Sequence, residues 1–141
     1  MSEQATQDRP TVMTRKIPAP AVTVESKPFW DAAKEGRFLI KRCNDCKEAH
    51  WYPRALCPFC FSENTAWEES PGEGVIYTYS VMHRSPTGPY GIGYVTLNEG
   101  PAVLTNFVDV PPDGLKNGMK VKVKFQPTGD ETPPVPVFVP A

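Results

Sequence analysis

The clearest pattern in the chain is a strict alternation at residues 119–125, where Val121, Val123 and Phe125 interleave with Lys120, Lys122 and Lys124. A period of two predicts a strand with one apolar face turned inward and one lysine face turned to solvent. Four further apolar runs of strand length lie at 75–83, 91–98, 102–109 and 135–139. Between them stand Pro86-Thr87-Gly88-Pro89, Glu99-Gly100-Pro101, Pro111-Pro112-Asp113-Gly114 with Asn117-Gly118, and Thr128-Gly129-Asp130, all residues suited to turns. Upstream the pattern changes. Ser26 is a candidate helix cap, Pro28 suits a first turn, Phe29, Trp30 and Ala33 mark one face, and Gly36 ends the segment. Shorter strand-like runs follow at 37–42, 49–52 and 65–68, and two cysteine pairs separate them.

Five strands in roughly 70 residues match a small, partly open barrel of the OB-fold type. The expected architecture is mostly β: a short helix, a four-cysteine ribbon of rubredoxin-like form, then the five-stranded barrel. The break Ser70-Pro71-Gly72-Glu73-Gly74 divides a helix-plus-ribbon unit, 28–70, from the barrel unit, 71–141. Residues 1–27 carry no sustained period and are expected to form an extended or mobile arm.

Composition narrows the function. The chain has 141 residues, and its 17 prolines agree with a body poor in long helices. A formal charge of −1 provides no global field to draw it onto nucleic acid or anionic lipid. The first residues lack the basic start and apolar core of a secretory signal, and no run approaches the roughly 18 apolar residues of a membrane span. A cytoplasmic protein that does not engage membranes is the expectation.

The strongest chemical signal is Cys43-Asn44-Asp45-Cys46 followed, after ten residues, by Cys57-Pro58-Phe59-Cys60. Two such pairs suit two knuckles that close over one tetrahedral zinc ion. Four thiolates fill the coordination sphere and leave no place for water, so the ion is expected to be structural. Four buried free thiols or a one-iron site are the alternatives. Such knuckles often place glycine after the second cysteine, where positive φ is comfortable, and here Lys47 and Phe61 occupy those places. Backbone strain or a different turn follows.

With every cysteine committed, no nucleophile with a neighbouring base can be assembled, and no catalytic residue is assigned. His50 lies between the knuckles as a spare donor that four thiolates make superfluous. His83, Arg84 and Tyr90 flank a loop where a barrel could meet a substrate. Lys120, Lys122 and Lys124, with Lys116 nearby, could face phosphates, although outward lysines also serve solubility. Phe29, Trp30, Phe38, Trp51, Tyr52 and Trp67 should largely form the core of the small ribbon unit.

In this order, Phe29-Trp30-Asp31-Ala32-Ala33-Lys34-Glu35-Gly36-Arg37, the two knuckles, Tyr77-Thr78-Tyr79-Ser80-Val81-Met82-His83-Arg84 and Gly118-Met119-Lys120-Val121 resemble one family. From about residue 16 to 141 the chain is similar to the zinc-ribbon plus OB-fold proteins catalogued as domain of unknown function 35 and described as acyl-CoA-associated. The resemblance implies a non-catalytic accessory subunit. Its partner would be a thiolase-like acyltransferase or aldolase, or an enoyl-CoA hydratase, and it would help shelter an acyl-CoA substrate. The absent knuckle glycines depart from the family pattern without touching the ligand set. The competing function is a single-stranded nucleic-acid binder, since OB-folds serve that purpose, but the charge balance weighs against it. A one-iron electron carrier is a third.

Overall fold

The computed structural model describes residues 12–141, so the first eleven residues of the expected arm lie outside the described part. One helix, α1 (Lys27–Lys34), opens the regular structure. Its buried face carries Phe29, Trp30, Ala32 and Ala33. Ser26 stands at its N-terminus but does not cap it with its hydroxyl, which instead meets the Thr23 hydroxyl at 2.9 Å and accepts from the Thr23 amide at 3.0 Å. At the other end Gly36, at φ +77°, lets its own amide reach the Ala33 carbonyl and that of Arg37 reach Ala32. This reversal satisfies two carbonyls that a straight end would leave unpaired.

Three strands follow, β1 (Phe38–Cys43), β2 (Ala49–His50) and β3 (Thr65–Ser70), in an antiparallel sheet of order β2-β1-β3. Arg42 on β1 grips Glu68 on β3 with two bonds of 3.0 and 3.1 Å. After a two-residue joint come β4 (Glu73–Met82), β5 (Tyr90–Leu97), β6 (Ala102–Phe107), β7 (Lys120–Gln126) and β8 (Val135–Pro140), closed into a barrel of order β4-β5-β6-β8-β7. This is the OB-fold arrangement that the spacing of turns predicts. In β7 Val121 is buried and Lys120, Lys122 and Lys124 are exposed, as the alternation requires.

The joint at Gly72 bends the chain without dividing its core. Gly72 has φ +70°, and a Cβ there would lie 2.2 Å from Cγ1 of Val123. Phe38 of β1 packs against Phe29 and Trp51 on one side and against Phe125 and Phe138 of the barrel on the other, with ring centroids 5.9–6.3 Å apart. One hydrophobic cluster therefore runs from α1 through the small sheet into the barrel. The segment before α1 joins it too. Residues 12–26 carry neither helix nor strand, but Met13 is fully buried and exchanges backbone bonds with Val110 and Asp109.

Of the six aromatic residues expected in the core, Phe29, Trp30 and Phe38 are buried, Trp51 and Trp67 are partly buried, and Tyr52 is exposed. No described helix is long and apolar enough to cross a membrane.

Candidate metal centre

Each cysteine pair sits in a tight turn. Cys43 closes β1, and the chain then folds back so that the Lys47 amide reaches the Cys43 carbonyl at 3.0 Å. The second knuckle repeats the bond, Phe61 amide to Cys57 carbonyl at 2.9 Å. The geometry needs a left-handed residue after each second cysteine, and Lys47 at φ +69° and Phe61 at φ +64° supply it. The glycine-type turn is thus kept and the strain accepted, at about 1–2 kcal/mol per residue.

The knuckles bring four Sγ atoms within 4.8 Å of one another. Cys43 faces Cys60 at 3.5 Å and Cys46 faces Cys57 at 3.6 Å. A tetrahedral ion with metal–sulfur bonds of about 2.3 Å sets neighbouring sulfurs about 3.8 Å apart, so the donor set fits such an ion. Backbone amides point at the sulfurs: Cys46 N–H toward Cys43 and Phe59 N–H toward Cys57, each at 3.4 Å. The Cys46 amide is the main influence that draws the Cys43 thiol down to about 7. At Cys46 the Glu48 amide favours the thiolate, but burial and the crowding Cys57 thiol prevail and push it up to about 12. Thiols this close cannot all ionise side by side unless a positive charge stands among them, and a cation in their midst would supply it.

A polar clasp ties the knuckles together. Asp45 accepts from the Ser62 hydroxyl and from Asn64, whose side-chain carbonyl in turn accepts from Asn44 at 3.1 Å. Cys43 and Cys57 are buried and Cys60 is exposed, so the site lies at the surface, beside an open hollow of about 360 Å³ lined by Arg54, Leu56, Cys57, Pro58 and Phe61.

His50 does not join the sulfurs. It is buried on β2 opposite Lys41, and neither ring nitrogen has a hydrogen-bond partner among the described residues. Burial, then the charges of Lys41 and Arg54, hold its pKa below the ordinary value.

The candidate substrate residues form two separate groups. His83 and Arg84 are exposed just beyond β4, and Tyr90 lies across from Met82 at the start of β5. Tyr90 is already occupied, because Arg15 stacks 4.0 Å over its ring while bonding Asn106 at 2.9 Å. This contact from the arm had no sequence signal beyond a lone arginine. Lys120 and Lys122 pair with the opposite end of β4, at Val75 and Glu73. Seven residues of strand, roughly 23 Å, separate them from Met82. Lys124 is engaged in an ion pair with Asp109 at 2.7 Å.

Comparison with known proteins places these features together. Residues 30–66 match the family model described as the ChsH2 rubredoxin-like zinc ribbon domain, and residues 67–126 match that of the ChsH2 C-terminal OB-fold domain. A probable enoyl-CoA hydratase alpha subunit of Thermomonospora curvata is 35% identical over 128 residues, 88% of this chain. The chain spans 40% of that protein's length. A DUF35 domain-containing scaffold protein of Pyrococcus furiosus is 35% identical over 102 residues, 67% of this chain and 74% of that protein. Among solved structures, a chain of the Ltp2-ChsH2(DUF35) aldolase superposes with a TM-score of 0.74 at 34% identity, covering 86% of this chain and 98% of that one.

Proposed function

The chain belongs to the DUF35 family of ChsH2 type, a rubredoxin-like zinc ribbon followed by an OB-fold, and from that membership we propose that it is a non-catalytic accessory subunit. It docks on a thiolase-like acyltransferase or aldolase, or on an enoyl-CoA hydratase, and helps bind or shelter an acyl-CoA thioester. The observation that carries this reading is the likeness to nearly the whole of a DUF35 chain from an aldolase structure. The enoyl-CoA hydratase relative supports the hydratase alternative.

The ion is zinc, held by Cys43, Cys46, Cys57 and Cys60, and it supplies a cross-link between the two knuckles rather than a reactive centre. Four sulfur donors leave no position for water on the ion. Lys120 and Lys122 are free to approach the phosphates of coenzyme A. His83, Arg84 and the Tyr90 end of the barrel form the second candidate contact.

Co-expression with a thiolase-like or hydratase subunit tests the reading. A stable complex that turns over an acyl-CoA, together with an inert isolated chain, is the expected result. Turnover by the isolated chain, or its recovery always alone, contradicts the proposal.

A further inference from the structure

β4 is ten residues long, but its two edges are treated differently. On the β7 side only Glu73, Gly74 and Val75 are in register, and Ile76 ends the pairing by donating to Met119 at 2.9 Å and accepting from Gly118 at 2.7 Å. Between Ile76 and Thr78 the ladder with β5 slips by a residue, a bulge that changes the course of the strand. From there residues 78–82 pair with β5 alone. Among the described residues no backbone group bonds their other edge.

Natural sheets guard such an edge with charge, proline or a covering element. Residues 74–82 contain neither charge nor proline. The exposed side chains here are uncharged, the hydroxyls of Thr78 and Ser80 among apolar ones, with Tyr77 70% and Met82 50% exposed. A groove of about 520 Å³ runs beside this edge, lined by residues 78–81 of β4, by His83 just beyond it, and by Pro112, Asp113 and Asn117 of the loop that leads into β7. That loop faces the edge across the groove, so a chain that enters lies between the two and pairs with β4 on one side only.

We infer that the β7-side edge of β4 at residues 78–82 receives one extended segment of the catalytic partner subunit, added as a strand through main-chain hydrogen bonds. The inference rests on the accessory-subunit reading and assigns the surface through which it acts. Backbone groups supply the affinity, and alternate side chains of the incoming segment meet the exposed apolar side chains and Asp113. The segment that fits is short, β-prone and poor in charge.

Hydrogen exchange followed by mass spectrometry, on the full chain alone and in its co-purified complex with the catalytic subunit, tests this. Those amides of residues 78–82 that face the open edge should exchange at least about tenfold more slowly in the complex, while those of 102–107 stay unchanged. A complex that leaves 78–82 unprotected overturns the inference and leaves the accessory role standing. If no catalytic subunit binds, both fall. Ser80→Pro and Val81→Pro give a second arm, because successive residues aim their N–H groups at opposite edges. The variant that keeps the native unfolding temperature should bind about tenfold more weakly, or worse. Normal binding by that folded variant, or dimerisation of the isolated chain through this edge, contradicts the inference.

Discussion

At single residues the positions after the cysteine pairs are the most instructive. Lys47 and Phe61 hold positive φ where glycine would be at ease, and Phe61 is 74% exposed, so its ring returns little packing. Lys47→Gly and Phe61→Gly should each raise stability by about 0.5–1 kcal/mol, read as a higher urea midpoint with unchanged metal content. His50 gives a pH signature. Burial, reinforced by Lys41 and Arg54, lowers its folded pKa, so the unfolded chain takes up the proton first as pH falls. Its contribution is intact above the unfolded value of about 6.5 and is lost as pH drops through the folded value. Urea titrations at pH 7.5 and 5.5 should show a smaller acid loss for His50→Leu than for the parent, the acid sensitivity of the thiolates being common to both. The convergence of the four cysteines was legible from spacing alone. The burial of His50 was not, because the two-residue strand that carries it has no period to read.

At the scale of elements, alternation and turn residues placed all eight strands to within a few positions. What they missed was pairing, which depends on partners distant in sequence. The run 75–83 reads as an ordinary strand, yet β4 is doubly paired only at its start. The joint at Gly72 was recognised as a break but not as a close approach. Gly72→Ala sets a Cβ against Val123 at a positive φ, and should cost about 2–4 kcal/mol in equilibrium unfolding. The opening serine of α1 was read as a side-chain cap, but its hydroxyl turns toward Thr23. A short helix that buries Phe29 and Trp30 needs that cap less than an isolated one would.

Across the whole molecule, a ribbon of three short strands has too little apolar surface to stand alone, so it draws on the barrel and sets four sulfurs where a metal would join its knuckles. Phe38 is the hinge of that sharing, touching aromatic rings of both units. Phe38→Ala should cost about 3–5 kcal/mol, with tryptophan fluorescence from the ribbon and circular dichroism of the barrel shifting together in one transition. A core continuous from the helix and small sheet into the barrel was not visible in the sequence, since local composition carries no record of which apolar residues meet. The burial of Met13 escaped for the same reason.

The account depends above all on the four sulfurs holding one zinc ion. Elemental analysis of protein purified under reducing conditions measures this directly. One zinc per chain, absent from Cys43→Ser, is the predicted result. Metal-free protein that is nonetheless folded, or a chain loaded with iron in place of zinc, would contradict it.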